Sequence, residues 1–298
     1  MALQLENPQP AAQIVEVVAV ERTAARKKGR AVVPHDPAVA FSPLCADSVQ
    51  GYPTDKCPKG NGVAEIKEVV DILHAAKIPS CLVAESALIY YGAGRIMHDW
   101  HICLPTEQLE QATDLFRERP ECYIPFRRSA LSYSERIDFA YPRFKLAGLS
   151  LFFILMPSEA CHLDVTPANI EFSAMGLPYP TLPVFAQSLL DGNPGVDLED
   201  LIDGMDLTLD WGEQHLDLGG TVDADWIWWR FSIAYDFNYE DERPPWYSSP
   251  DKRRDVWAKQ ASPEAKKTRQ SWKYRPNYAT RFRKIGSKDP RSLYRNYC

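Results

Sequence analysis

The sequence predicts an α/β (α+β) fold, a mixed sheet flanked by helices and followed by a tryptophan-rich C-terminal region. Short apolar runs of strand length alternate with helix-period segments between residues 63 and 165. The 298 residues are 45% hydrophobic and 25% charged, ordinary for a globular chain that buries a sizeable core. Seven of the eight tryptophans fall in the last third. The pattern divides the chain into an N-terminal extension (1–60), an α/β core (61–190) and a C-terminal region (191–298).

The extension is rich in Ala, Pro and Lys/Arg, with Ile14–Arg26 as a candidate helix and CADSVQGYPTDKCPKGNG as an irregular connector. From Val63 to Lys77, the residues Val63, Ile66, Val69, Val70, Leu73 and Ala76 recur at helical spacing. Ile78-Pro79 ends that helix, because proline pushes the preceding residue out of the helical region. Cys81–Ala84 reads as a strand, Ser86 opens a short helix, and Gly92 and Gly94 mark a turn. A second strand carries Asp99 and His101 on one face. Thr106 is placed to cap a helix running to Arg119, with Glu107 and Glu110 at its positive end. Tyr123–Phe126, Leu149–Met156 and His162–Val165 are strand candidates. Beyond Gly176, a Pro-rich extended segment feeds a short helix, Asp197–Met205 reads as another, and WIWWRF packs its aromatics into the core.

The longest apolar run, Leu149–Met156, is too short to cross a membrane, and the N-terminus lacks a signal-peptide core. The expected location is cytoplasmic. Seven scattered cysteines, never spaced as CxxC, argue against a disulfide framework or a zinc knuckle; Cys81 and Cys103 read as small core residues. Net charge is −6 but segregated: 197–242 holds fourteen acids against Arg230, and 251–298 holds fifteen bases against four acids. Pairing of the two blocks is the favoured reading, with binding of a polyanion as the alternative.

The segment LVAESALIYYGAGRIMHDWHICLP, Leu82 to Pro105, combines strand, small-residue loop, helix, arginine and acidic strand. It resembles the signature of the nucleotidyltransferase fold, in a degenerate fungal-type group. The resemblance covers about a hundred residues, from Val63 through Asp164, and SALIYYGAGR with Asp99 is its most specific string. It implies a phosphate-contacting loop at Glu85-Ser86, a phosphate- or loop-bracing Arg95, and metal-holding carboxylates at Asp99 and a later strand. Asp164 is the first choice for that later carboxylate and Asp138 the second.

Two positions depart from the pattern. Glu85 puts a carboxylate where a triphosphate would lie, and His101 replaces the second acid of the strand. Mg²⁺ prefers hard oxygen ligands, so Asp99 and Asp164 make a weakened metal pair. His101 then reads as a neutral general base, or as a hydrogen-bonded structural residue.

The resemblance thus implies a group-transfer enzyme with an eroded metal dyad, its substrate nucleotide- or tRNA-linked. Asp99, His101 and Asp164 would be catalytic; Glu85, Ser86 and Arg95 would bind substrate. Without metals the pocket is acidic and suits a guanidinium, while Arg275, Arg281, Arg283 and Lys284 in the basic tail suit an RNA backbone. That pairing is faintly similar to fungal arginine-containing cyclodipeptide synthases, which draw amino acids from charged tRNA. A catalytically inactive binding protein on the same fold is the third expectation.

Overall fold

The computed structural model describes residues 55–126, 137–192, 195–235, 247, 249–271 and 288–292. The candidate helix Ile14–Arg26, most of the N-terminal extension, Trp246, Trp272 and the basic residues Arg275, Arg281, Arg283 and Lys284 lie outside them.

A five-stranded mixed sheet organises the chain, with helices packed against it. Its strands are β1 (Cys81–Val83), β2 (Trp100–Leu104), β3 (Tyr123–Pro125), β4 (Arg143–Leu146) and β5 (Phe152–Pro157), in the order β1-β2-β5-β4-β3. Only β2 and β5 run parallel; β1–β2, β3–β4 and β4–β5 are antiparallel. A separate hairpin, β6 (Ile170–Phe172) and β7 (Pro178–Pro180), pairs antiparallel.

The first helix, α1 (Val63–Ala75), buries Ile66, Val69, Val70 and Leu73, the stripe expected from their spacing. Each such side chain contributes about 1.5–3 kcal/mol by leaving water. Gly62 caps it at φ 81°, where an added Cβ would lie 1.8 Å from the Leu151 side chain. Helix α2 (Glu85–Tyr90) follows β1 directly, and α3 (Leu109–Arg117) lies between β2 and β3.

The sheet has two unlike faces because side chains alternate along each strand. Leu82, Ile102, Leu104, Phe144, Phe153 and Leu155 join the main core, which also holds the α1 stripe. Phe153 sits among the rings of Phe116, Phe144 and Tyr123. The other face carries Val83, His101, Ile154 and Arg143 as direct neighbours across β1, β2, β5 and β4.

The remaining helices are α4 (Leu182–Gly192), α5 (Val196–Met205), α6 (Leu209–His215), α7 (Ala224–Tyr235), α8 (Arg253–Ala261) and α9 (Pro263–Ser271). WIWWRF lies on α7, where Trp226 and Trp228 are buried. Trp229 and Ile233 of the same helix pack on the cluster of Ile137, Tyr141, Ile154 and Met156, so α7 covers part of the polar sheet face. Close approach without side chains joins α5 to the loop after α2: a Cβ on Gly204 would meet the Ala93 nitrogen and the Tyr91 oxygen at 2.7 Å.

The segregated charges pair with one another. Arg269 forks onto Asp203 at 2.8 and 2.6 Å, both side chains buried, and Lys266 meets Asp206 at 2.8 Å. Arg253 holds Asp217 at 2.9 Å and Arg254 holds Glu213. Among the described residues these pairs consume basic side chains that the alternative reading would have turned toward a polyanion.

Two sequence expectations differ from the structure, and one strand was not expected. His162–Val165 is not a strand: the chain turns after β5, with His162 at φ 51°. Arg143–Leu146 is a strand the periodicity did not reveal, since Arg143 and Lys145 interrupt its apolar pattern yet both are buried. Thr106 does not cap α3; its hydroxyl accepts from the Glu159 amide at 3.1 Å and so ties down the turn after β5. Among the described residues no helix is long and apolar enough to cross a membrane.

Candidate functional site

The polar sheet face gathers five ionisable side chains from four stretches of the sequence. The chain leaves β1 through Ala84 at φ 54°, ψ −134°, a conformation that L residues with a Cβ rarely adopt. It costs on the order of 1–3 kcal/mol and persists only where the surroundings enforce it. This turn makes Glu85 the first residue of α2 and brings its carboxylate over β2. His101 comes from β2, and Asp99 lies in the bend just before that strand, two residues away and on the same face. Asp138 comes from the short 3-10 turn Ile137–Ala140, and Arg143 from β4.

His101 lies between two carboxylates. Its Nε2 is 3.2 Å from Asp138 Oδ2 and its Nδ1 is 3.6 Å from Glu85 Oε2. Burial opposes protonation of the ring, but the negative charges of Asp138, Glu85 and Asp99 outweigh it, and the pKa is pushed up to about 9. His101 is therefore an imidazolium at neutral pH. In that form the ring is a cation able to give up a proton.

Asp99 meets a second internal cation. Arg143 donates from Nε to Asp99 Oδ2 at 2.9 Å and from Nη2 to Oδ1 at 3.1 Å, a two-pronged buried pair. The guanidinium also lies over the Phe152 ring, 3.9 Å from its centroid, and 5.1 Å from that of Phe126. Glu85, Asp99, His101, Asp138 and Arg143 are all buried, with none more than 9% exposed.

The other expected site residues are placed elsewhere or held differently. Ser86 is buried, and its hydroxyl donates to the Val83 carbonyl at 2.8 Å, closing the turn it sits in. With Asn61, Ile89, Met97, Trp100 and Tyr179 it lines a cavity of about 10 Å³, room for roughly one water. Arg95 is bound to Asp197 at 2.7 Å and to Asp200 of α5, so it ties the loop before β2 to the C-terminal helices. Asp164 is exposed in the irregular segment after the turn, its carbonyl accepting from the Thr166 amide and the Asn169 side chain. Asp138, the second choice by sequence, is the carboxylate that joins His101.

These residues do not fit a Mg²⁺ pair at Asp99 and Asp164. Both oxygens of Asp99 face Arg143, Asp164 is outside the cluster, and an imidazolium has no lone pair for a metal. Among the described residues no group of three or more His, Cys, Asp or Glu side chains is arranged to hold a metal ion.

A scan against models of protein families finds no match, and a search of curated proteins finds none either. The chemistry must be read from the geometry.

Arg143 was not singled out from sequence. The signal that existed was weak: RFKL places two bases in a run otherwise suited to a buried strand. What the assembled cluster offers is charge compensation without metal, one internal guanidinium for Asp99 and one imidazolium for Glu85 and Asp138. It also offers a proton donor, since a group with a pKa near 9 is charged at neutral pH yet can release its proton to a stronger base.

Proposed function

We propose that this protein is a binding module on a nucleotidyltransferase-like scaffold, in which internal cations stand where the related enzymes place metals. The observation that carries this reading is the two-pronged Arg143–Asp99 pair at 2.9 and 3.1 Å. A carboxylate forked by a buried guanidinium is not available to bridge a metal and a triphosphate, and breaking such a pair leaves a buried charge costing about 3–5 kcal/mol. The resemblance over Val63–Asp164 supplies the ligand class, a nucleotide bound without turnover.

Titration with ATP, GTP, CTP and UTP, with and without Mg²⁺ or Mn²⁺, tests the reading. Binding of at least one nucleotide without a metal requirement, and no release of pyrophosphate, is the expected result. Metal-dependent pyrophosphate release that disappears in Asp99→Asn overturns it, and failure to bind any of the four removes the nucleotide as ligand.

A second reading, group transfer by proton chemistry on a nucleotide- or tRNA-linked substrate, is favoured by one observation: His101 is held as a proton donor between Glu85 and Asp138. Its arginine-specific form, a tRNA-dependent synthesis of arginine-containing cyclodipeptides, meets an obstacle in Arg143, whose guanidinium already occupies Asp99. Incubation with arginyl-tRNA followed by mass spectrometry decides this reading: arginine diketopiperazines support it, and their absence leaves the binding module.

A further inference from the structure

Three cysteine side chains meet on the same sheet face as the charged cluster. Cys103 follows His101 by two residues on β2, and Cys81 is its direct partner across the antiparallel β1–β2 pair. Cys161, in the turn after β5, packs against the small cluster of Cys81, Val83, Cys103 and Val165. Burial, first, and then the neighbouring thiols of Cys161 and Cys81 push the Cys103 pKa well above the usual range.

The three differ in access. Cys81 and Cys103 are buried, whereas Cys161 is half-buried and can meet a small oxidant. A reachable thiol packed against one small cluster with a sealed one is an arrangement that allows oxidation followed by resolution.

We propose that Cys161 and Cys103 form a peroxide-responsive thiol pair. The Cys161 thiolate attacks a peroxide oxygen, breaking the O–O bond; hydrogen peroxide leaves a sulfenic acid on Cys161 and a hydroxide ion. The Cys103 sulfur then attacks the Cys161 sulfur, the S–OH bond breaks, and the departing hydroxide takes the Cys103 proton as water. Both sulfurs are oxidised in the resulting disulfide, and the peroxide is the electron acceptor. The bond staples the turn after β5 to β2, two residues beyond His101, so the oxidation state of the pair bears directly on the charged face.

Full-length protein treated with hydrogen peroxide, denatured, alkylated and digested without reductant tests the pair. The expected product is a linked peptide joining Cys103 to Cys161, lighter by two hydrogens than the reduced pair and restored by dithiothreitol. Cys161→Ser, a change at a half-buried position, is expected to abolish the link and leave Cys103 fully alkylated, while Cys81→Ala retains it. The proposal is overturned if Cys103 remains alkylatable in treated wild type, if Cys161 proceeds to sulfinic acid without bridging, or if Cys161→Ser forms a Cys81–Cys103 bond as readily as wild type forms any.

Discussion

Arg143 of β4 reaches across β5 to fork onto Asp99 at the mouth of β2, spanning three strands of the sheet with one buried ion pair. The arrangement makes Asp99 and Arg143 a single unit in stability as well as in chemistry.

Replacing Arg143 with Met leaves Asp99 facing its former partner's place as a buried carboxylate, and a loss of about 3–5 kcal/mol is expected. Asp99→Asn is expected to cost a similar amount by stranding the guanidinium. The double variant should lose less than the sum of the two, a coupling of at least about 1 kcal/mol in urea denaturation. Strict additivity would show that the two side chains act independently.

His101 gives the stability a pH signature. Burial lowers its proton affinity, but Asp138, Glu85 and Asp99 raise it further, so the folded pKa of about 9 lies above the unfolded value of about 6.5. Its contribution is therefore fully present below pH about 6.5 and is lost as pH rises toward 9. His101→Gln is expected to be less stable than wild type at pH 6 and to show a much flatter decline between pH 6.5 and 9. Parallel declines in the two proteins would assign the effect to another group.

Asp200 titrates in the opposite setting. Burial raises its pKa to about 6, and the Arg95 guanidinium is what keeps it from rising further. A raised carboxylate contributes stability at low pH that is lost as pH climbs through the folded value. In Arg95→Ala that loss extends to higher pH, so the variant should be more impaired at pH 7.5 than at pH 5. Equal deficits at the two pH values, measured by urea denaturation, would refute the coupling.

Two glycines test the packing of the C-terminal helices. A Cβ at Gly204 would meet backbone atoms of the loop after α2 at 2.7 Å, and one at Gly212 would strike the Trp257 indole nitrogen at 2.0 Å. Gly204→Ala cannot be relieved by a side-chain rotation and is expected to cost about 1–3 kcal/mol or more. Gly212→Ala is expected to displace Trp257, visible as a red shift and loss of structure in the tryptophan fluorescence. Unchanged stability in Gly204→Ala would mean that α5 can move away freely.

Much of the frame was legible because its signals are local. The stripe Ile66, Val69, Val70 and Leu73 announces α1, Ile78-Pro79 ends it, and β1, β2 and β5 stand out as apolar runs. The paired position of Asp99 and His101 follows from the period of two along a strand. Strand β4 was hidden because the face opposite its core residue Phe144 carries Arg143 and Lys145, charges that a buried strand tolerates only with partners: Asp99 for the first and Asp55, at 2.9 Å, for the second. Asp164, the first choice for the later carboxylate, lies outside the cluster that Asp138 joins, for a related reason. A carboxylate in an apolar run looks like a strand residue, yet His162 turns the chain at φ 51° and leaves Asp164 exposed.

The sequence by itself determined α1 and the strands β1, β2 and β5, the sharing of one face by Asp99 and His101, and the acidic and basic blocks. Only the tertiary structure decided what those charges meet. Arg95 went to α5 instead of the sheet face, Asp138 came in beside His101, and Arg143 claimed Asp99 from two strands away. Periodicity is a property of neighbours along the chain, so it reports which face a side chain takes. The protonation of His101 and the occupancy of Asp99 depend instead on charges distant in sequence and a few ångströms away in space, inside a region where water no longer screens them.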